Sequence, residues 1–340
     1  SLGVMHLANQ FASDLGLTEH QARLLRAAAL LHDVGHPPFS HTLELQMVEY
    51  TGMNHEQMAA KIIRKGVEGN SACARVLQKH GLDPSEICEL IQGKHKDPVL
   101  NQLLHGEIDV DQMDYLLRDA HFTGVALGMI DLPRLRRIMQ IRRGKLVIKE
   151  SGIEAVEGFL TARSLMFSSV YFHRTVRIAE LMLARAVEML LEKGVEPFLL
   201  SDWQLLSTLE AMGGFPAEIV RRLSCRRLYI PVYFVGRKLV KEKDVIRLKR
   251  KLGSWRKLRT LEDEICDRAR VPRGRVIIDI PLLELEVSES RIKRTGIMVA
   301  VGSSSVPLHR FSPLASIIQE KLPSRYLLQV ATLPEYRRKV

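Results

Sequence analysis

A strongly apolar helical segment that stops at a polar cluster is the feature that most limits how this chain can fold. Leu24, Ala28 and Leu31 recur at helical spacing among further leucines and alanines, which is typical of a helix buried on most sides. The pattern ends at His32-Asp33-Val34-Gly35, and Pro37-Pro38 cannot continue a helix. The sequence therefore predicts that the His-Asp pair lies at the last turn of a core helix.

The polar cluster itself has the composition of a metal site. The segment from Leu30 to His41 holds three histidines and an aspartate. An imidazole nitrogen beside a carboxylate oxygen suits Fe, Mn, Co, Ni or Mg better than a closed structural zinc site. Two ligands leave most of the metal open, so we expect acidic groups from elsewhere in the chain to complete it.

The segment from Glu107 to Asp119 predicts a helix with several acidic side chains. Asp111, Tyr115 and Asp119 recur at four-residue steps and therefore share one side of the helix. One carboxylate of this side could reach a metal held by the first helix. Asp109 is explained quite well as an acid that complements the helix dipole.

The pattern along the chain changes near Glu192 and predicts two domains, residues 1–192 and 193–340. The first has further helices at about 54–66, 84–92, 107–119, 131–141 and, as one long helix, 152–192, with a hairpin strand at 145–148. The second has helices at 201–211, 216–224 and 313–322 and strands at 228–234, 276–280, 296–301 and 326–330. The predicted fold class is mainly α: an all-helical domain followed by a smaller α+β domain.

The positive charge of the chain lies in its second part. Residues 1–192 hold 21 Lys and Arg against 23 Asp and Glu, a net −2, and residues 193–340 hold 29 against 16, a net +13, which together give +11. Such a region favours anionic partners, and it fits the charged surface of a heat-adapted protein at least as well. Cations are dense at 221–227 and 238–259, where few aromatic side chains are available to stack on bases.

Cysteine spacing and hydropathy exclude several classes of protein. Cys73, Cys88, Cys225 and Cys266 form no Cys-x-x-Cys pattern, so we expect buried thiols rather than a zinc ribbon or a disulfide framework. The sequence contains no run of eighteen apolar residues that would predict a membrane helix, and its first residues lack the features of a signal peptide. We therefore expect a cytoplasmic protein that has no membrane partner.

Four short sequences, taken in order, resemble the HD-domain metal-dependent phosphohydrolases. They are His32-Asp33, Gly35-His36-x-x-Phe39-Ser40-His41, Asn54-His55-Glu56 and Asp109-Val110-Asp111-x-x-Asp114-Tyr115. Over about residues 1–190 the chain is similar to the deoxynucleoside triphosphate triphosphohydrolase branch. The resemblance implies hydrolysis of a dNTP to a deoxynucleoside and tripolyphosphate. It also implies one divalent metal ion, Mn, Mg, Fe, Co or Ni, held by His32, Asp33 and Asp111.

The resemblance implies roles for further polar residues. His36, His55 and Glu56 match positions used in proton transfer, with His55 as the general acid, and His41 and Glu44 match supporting positions beside them. Substrate contacts are expected from Tyr115, Asp119, Arg163, Tyr171, His173 and Arg174. Core packing is a nearly equal alternative for Tyr115, and a solvated helix face is plausible for Arg177 and Arg185.

The family pattern has one more metal-binding histidine, which directly precedes a Ser-Leu-Gly sequence, and this chain opens at Ser1-Leu2-Gly3. We expect the N-terminal edge to be truncated at that histidine, because Leu2 to Phe11 continues the expected helix. His6 lies more than one turn away and is interpreted as a surface or core residue. A chain that lacks the ligand should bind metal and hydrolyse substrate much less well.

Two other functions stay open at this point. An HD protein with reduced catalysis would bind nucleotide or single-stranded nucleic acid through its basic part, with a salt-dependent affinity. The same metal centre would also suit a phosphomonoesterase or a cyclic-nucleotide phosphodiesterase. The expected partners are a dNTP substrate, further copies of the chain in a dimer or tetramer, and a nucleotide effector or nucleic acid at the basic C-terminal region.

Overall fold

The computed structural model describes residues 1–66, 69, 71–236, 242–281, 296–320 and 326–340. Two compact units are formed, each from several segments of the chain. The first unit takes the described residues of 1–35, 55–167 and 291–322, and the second unit those of 36–54, 168–290 and 323–340. Residues 238–241 of the cation-rich stretch and the end of the helix predicted at 313–322 lie outside the described residues.

The predicted mainly α fold class is confirmed. The helices are α1 (Leu2–Asp14), α2 (Glu19–Leu31), α3 (Glu44–Thr51), α4 (His55–Lys65), α5 (Ala72–Lys79), α6 (Pro84–Ile91), α7 (Pro98–His105), α8 (Val110–Thr123), α9 (Leu132–Ile138), α10 (Ile153–Met166), α11 (Arg174–Glu192), α12 (Asp202–Ala211), α13 (Gly214–Ser224), α14 (Glu242–Leu252), α15 (Trp255–Ala269) and α16 (Pro313–Glu320). The strands are β1 (Met139–Arg142), β2 (Lys145–Lys149), β3 (Ile230–Gly236), β4 (Val276–Asp279), β5 (Met298–Val301), β6 (Ser304–Pro307) and β7 (Tyr326–Thr332).

Helix α2 is the core helix that the sequence predicts. It begins with a capping box, in which the Thr18 side chain accepts from the Gln21 N–H and the Gln21 side chain accepts from the Thr18 N–H. Its apolar residues are buried against α1 and α6. The helix ends at Leu31 with His32 as its C-cap residue, so the His-Asp pair lies at its end as expected.

The first unit contains a sheet of order β1-β2-β5-β6, in which β2 and β5 are parallel and the other pairs antiparallel. The hairpin strand predicted at 145–148 is confirmed. The helix predicted at 131–141 is wrong after Ile138, because Met139 to Arg142 pair with β2 instead. Arg142 then donates to the carbonyls of Gly302 and Ser304, which ties the β5–β6 turn to β1.

Residues 152–192 form two helices where one long helix is predicted. Phe167–Tyr171 form a π-helical turn, and His173 is extended, with φ −66 and ψ 130. The His173 Nδ1 accepts from the Thr175 N–H at 3.3 Å and so caps α11. Serine and valine at positions 168–170 are weak helix formers, and hydrophobic periodicity does not register that weakness. Tyr171 therefore ends the π-helical turn, His173 caps α11 and Arg174 begins it, so the three do not lie within a continuous helix.

The second unit packs helices against an antiparallel sheet of order β3-β7-β4. Its core joins apolar residues of α11, α12 and α13 to Ile277 of β4 and Ala331 of β7. The helices predicted at 201–211 and 216–224 are confirmed as α12 and α13. Burial on both faces explains why β4 and β7 read as apolar runs in the sequence.

The four cysteines are all free thiols. Cys88 and Cys266 are buried as expected, and Cys73 is half-buried. The expectation is wrong for Cys225, which is exposed because it is the C-cap residue of α13. Among the described helices, none has the length and apolar character needed to cross a membrane.

Candidate metal centre and catalytic residues

In the first unit, His32 faces the two carboxylates predicted to share its metal. The His32 Nδ1 donates to the Ala29 carbonyl at 2.8 Å, because a carbonyl oxygen can only accept. The His32 Nε2 lies 3.0 Å from Asp33 Oδ1 and 3.4 Å from Asp111 Oδ1. His32 is only 8% exposed, and its Nε2 makes no well-aligned hydrogen bond to any residue that the structure describes. A buried nitrogen that faces two carboxylates is suited to hold a cation.

The electrostatics of this centre favour a positive charge. Burial lowers the pKa of His32, but the side chains of Asp111 and Asp33 outweigh burial and raise that pKa to about 10. Either a proton on Nε2 or a metal ion supplies the charge. One imidazole and two carboxylates are a donor set that divalent metals accept, so the residues fit the expected metal. Ser1 Oγ donates to the second oxygen of Asp33 at 3.2 Å.

Helix α8 positions Asp111 through its N-terminal cap. The buried Asp109 side chain accepts from the Gln112 backbone N–H at 2.8 Å and from Gln112 Nε2 at 3.1 Å. Asp109 therefore acts as a cap, which agrees with its interpretation from the sequence. Asp111 lies in the first turn of α8, and Tyr115 and Asp119 follow at one-turn steps.

The other predicted residues of the first unit are His55, Glu56 and Arg163. His55 and Glu56 begin α4, and Glu56 Oε1 lies 3.6 Å from the Nδ1 of His105. His105 ends α7 and is not singled out by the sequence, since a lone histidine before a glycine carries no periodic signal. Arg163 is buried in α10, with its guanidinium 5.7 Å from the centroid of the Phe167 ring.

In the second unit, His36, His41 and Glu44 form a compact cluster. Their potential ligand atoms all lie within 4.8 Å of one another, so the group could hold a metal ion. His41 Nδ1 lies 3.0 Å from Glu44 Oε2, and the rings of His36 and His41 meet edge to face at 4.7 Å. Glu44 is 1% exposed. A buried carboxylate that holds an exposed imidazole is also an arrangement for moving a proton.

Tyr171, His173 and Arg174 also belong to the second unit. Arg174 stacks on Phe234, with 4.7 Å from Cζ to the ring centroid, and its Nε donates to Gln329 at 3.4 Å. The solvated face considered for Arg177 and Arg185 is wrong. Both are buried, and Arg177 pairs with Asp279 at 3.0 Å and with Glu180 at 2.9 Å. Arg185 pairs with Glu188 at 3.4 Å.

Comparison with known proteins gives the family. Residues 1–119 match the HD domain, and residues 130–340 match the HD associated region. The chain belongs to the HD-domain family. Its predicted resemblance to the family, and to the deoxynucleoside triphosphate triphosphohydrolase branch, is confirmed.

Three relatives of this HD-domain protein illustrate the similarity. An uncharacterized protein of Methanocaldococcus jannaschii is 36% identical over 235 residues, which cover 67% of this chain and 47% of that protein. The deoxynucleoside triphosphate triphosphohydrolase SAMHD1 homolog of Dictyostelium discoideum is 29% identical over 210 residues, covering 55% of this chain and 38% of that protein. The chain thus spans less than half the length of either curated relative.

The third relative is a hypothetical protein from Aquifex aeolicus whose crystal structure is known. It superimposes with a TM-score of 0.72 at 26% sequence identity, and the match covers 99% of this chain and 84% of that chain. The fold of the described residues is therefore shared with that protein.

Proposed function

We propose that this HD-domain protein is a metal-dependent phosphohydrolase that converts a deoxynucleoside triphosphate to a deoxynucleoside and tripolyphosphate. The main support is the geometry of the first unit, where the buried His32 Nε2 faces Asp33 and Asp111. The substrate class is supported by the similarity to a relative named as a deoxynucleoside triphosphate triphosphohydrolase.

His32, Asp33 and Asp111 are the residues that would hold the metal. When bound, a divalent ion supplies Lewis acidity, which makes a water molecule a better nucleophile at neutral pH. The residues of the chain would retain the ion and orient its imidazole ligand. Asp33 and Asp111 provide the negative charge that retains the ion, and the Ala29 carbonyl fixes the His32 ring through Nδ1.

Protonation of the leaving oxygen requires a positioned acid. His55, with Glu56 beside it in the first turn of α4, is proposed for this step. His41, whose Nδ1 lies 3.0 Å from Glu44 Oε2, is the second candidate, and His36 belongs to the same group of proton-transfer residues. The guanidinium groups of Arg163 and Arg174 would neutralise phosphate oxygens, and Tyr115 would pack against the sugar, with Asp119, Tyr171 and His173 as further contacts.

The proposed activity is tested by incubating the protein with Mn, Mg, Co, Fe or Ni and each of the four common dNTPs, followed by analysis of the products. We expect tripolyphosphate and deoxynucleoside in equal amounts with at least one metal. Release of inorganic phosphate alone would instead indicate a monoesterase or stepwise hydrolysis. Salt-dependent binding of single-stranded DNA without turnover at any metal would favour the binding function.

The oligomeric state of the protein and the molecules that bind its basic region are further predictions. We expect a homo-oligomer, either a dimer or a tetramer, and a nucleotide effector or nucleic acid at the basic C-terminal region. We also still expect a cytoplasmic location.

A further inference from the structure

Helix α3, which begins with Glu44, is tied to the rest of the second unit by a buried amide. Gln46 lies two residues after Glu44, in the first turn of the helix, and is 2% exposed. Its Nε2 donates to Glu188 Oε1 of α11 at 3.1 Å. One turn further on, Glu49 Oε1 accepts from the Trp255 N–H of α15 at 3.1 Å. Because hydrogen bonds are directional, these two contacts on successive turns fix the rotation of α3 about its axis.

Glu188 is itself held by α15, so it offers Gln46 a fixed acceptor. It is fully buried, and Arg259 binds both of its oxygens, with Nε 2.6 Å from Oε2 and Nη2 3.2 Å from Oε1. Arg259 also donates to Glu262, whose Oε1 accepts from the Ile278 N–H of β4 at 2.7 Å. We call Gln46, Glu188, Arg259 and Glu262 the α3 anchor. It connects α3 to the backbone of the three-stranded sheet through an unbroken series of hydrogen bonds.

Stability alone explains the α3 anchor poorly. Gln46 Oε1 is buried and accepts from no residue that the structure describes. A buried acceptor without a partner destabilises a fold, and a buried ion pair often stabilises it no more than apolar residues of the same volume. An apolar side chain at position 46 would fill the space equally well. It would not fix a direction, however, because apolar contacts are not directional.

The direction that the α3 anchor fixes is that of the turn that carries Glu44. Glu44 is 1% exposed, and its Oε2 lies 3.0 Å from His41 Nδ1. Such a hydrogen bond weakens steeply when its acceptor moves out of line. Since Glu44 and Gln46 share the first turn of α3, a rotation of that turn would carry the Glu44 carboxylate away from the His41 ring.

We propose that Gln46 and Glu188 are positioning residues, which fix the first turn of α3 so that Glu44 stays directed at His41 for proton transfer. The use of that pair in catalysis rests on the proposed function. Gln46 lies in the part of the chain that matches the HD domain, and Glu188 lies in the part that matches the HD associated region. The associated region would thus support a proton-transfer pair within the second unit.

Gln46→Met tests the proposal, because methionine is close to glutamine in volume but lacks the amide. Glu188 keeps Arg259 and Arg185 as partners, so no buried charge is left alone. We expect kcat to fall about tenfold, as for a slightly displaced group, while KM and the Mn requirement stay within about twofold of wild type. The urea concentration at half-unfolding should not fall, because the substitution also removes the buried acceptor that has no partner.

Met47→Leu is the matched control. Met47 is the fully buried neighbour of Gln46, and leucine nearly conserves its volume without changing the α3 anchor, so kcat should stay within about twofold of wild type. Glu44→Gln supplies a second comparison. If Gln46 acts through Glu44, adding Gln46→Met to Glu44→Gln should lower kcat by less than about a further twofold.

Nuclear magnetic resonance of the histidine rings gives a readout that needs no turnover. The signals of His41, identified with a His41→Gln variant, should shift in Gln46→Met in the same direction as in Glu44→Gln. They should stay in place in Met47→Leu.

The assignment is overturned if Gln46→Met keeps the wild-type kcat or loses no more than Met47→Leu. It is also overturned if the kcat losses of Gln46→Met and Glu44→Gln multiply, if the urea midpoint of Gln46→Met falls together with kcat, or if the His41 signals do not move. Failure of the proposed function looks different. In that case the His41 signals follow the expected pattern, but the wild-type protein hydrolyses no dNTP with any metal.

Discussion

At the scale of single residues, the pairing of buried Glu44 with His41 is the clearest arrangement for proton transfer. A carboxylate that is 1% exposed and holds an imidazole nitrogen at 3.0 Å fixes both the orientation and the tautomer of the ring. Loss of that carboxylate should therefore impair catalysis rather than metal binding.

Glu44→Gln is expected to lower kcat by about 100-fold, the usual contribution of a positioned acid. The Mn concentration that gives half-maximal turnover should stay the same, because the centre formed by His32, Asp33 and Asp111 is untouched. Glu49→Gln in the same helix is a suitable control, since an amide oxygen can still accept the Trp255 N–H that Glu49 accepts at 3.1 Å. Equal loss of kcat in both variants would point to a folding effect in α3.

Some individual residues can be predicted from the sequence and others cannot. The sequence predicts that His32, Asp33 and Asp111 share one centre. In the structure, one carboxylate oxygen of Asp33 lies 3.0 Å from the His32 Nε2, and one of Asp111 lies 3.4 Å from it. The burial of Arg177 was not predictable, because its partner Asp279 lies 102 residues away. Local spacing on a helix cannot show which distant acid will cover it.

At the scale of secondary-structure elements, Gly35 allows the turn that follows α2 to pass close to α4. A Cβ atom at Gly35 would come closer than 3.0 Å to the backbone N of Ala59 and the backbone O of His55. Backbone atoms within a helix cannot shift as a flexible side chain does, so this contact forces the two elements apart.

Gly35→Ala should lower the free energy of unfolding by about 3 kcal/mol, as expected for severe overpacking. Gly52→Ala is the matched control: it has open space around it and a φ of +72°, so only the left-handed backbone is penalised, at about 1 kcal/mol. Urea unfolding followed by circular dichroism measures both. Equal losses would show that the α2–α4 approach tolerates a methyl group.

The contact of α13 with the segment before β4 depends on an ion pair. Arg275 donates from both Nη atoms to the two oxygens of Glu218 at 2.7 Å each, and Arg222 adds a third bond at 2.7 Å. Hydrogen bonding from Arg275, opposed by partial burial and helped by Arg222, lowers the pKa of Glu218 to about 2.

Because the folded-state pKa lies below the usual value of 4.5, the stabilisation by Glu218 is present above pH 4.5 and is lost as the pH falls towards about 2. Glu218→Gln should cost about 1 to 2 kcal/mol at pH 7, since solvent screens a partly exposed pair. Urea unfolding at pH 7, 4 and 2.5 should show the two proteins converging. A difference that does not change with pH would contradict the ion pair.

The elements themselves were largely predictable, but their interruptions were not. Capping residues and apolar periodicity locate α2, α4, α12 and α13 within a few residues. The break at 167–173 depends on a π-helical turn and on the His173 cap, and neither leaves a strong mark on hydrophobic periodicity. That break is what gives Arg174 its place at a helix start.

At the scale of the whole molecule, residues 296–320 complete the first unit although they lie far along the chain. Strand β5 pairs in parallel with β2, and Glu107 accepts from the N–H groups of Gly296 and Ile297. Ser312 donates to Glu157. A strand partner about 150 residues away cannot be read from local patterns, so the sequence alone does not predict this connection.

Glu107→Ala should loosen this segment without unfolding the protein. We expect amide hydrogen exchange at Ile297 and in β5 to accelerate by about tenfold, which corresponds to roughly 1.5 kcal/mol of stabilisation lost with the two hydrogen bonds that Glu107 accepts. Glu154→Ala, an exposed position of α10, should leave exchange there unchanged. Unaltered exchange in Glu107→Ala would show that the β2–β5 pairing holds the segment alone.

We propose that His32, Asp33 and Asp111 hold the metal on which dNTP hydrolysis depends. Tripolyphosphate release from a dNTP, measured across a Mn titration for wild type and Asp111→Asn, tests this proposal. Asp131→Asn is the control, because asparagine still caps α9 where Asp131 accepts from the Arg134 N–H. We predict metal-dependent release by wild type and control and no release by Asp111→Asn; release by Asp111→Asn at the wild-type rate and Mn requirement would contradict the claim.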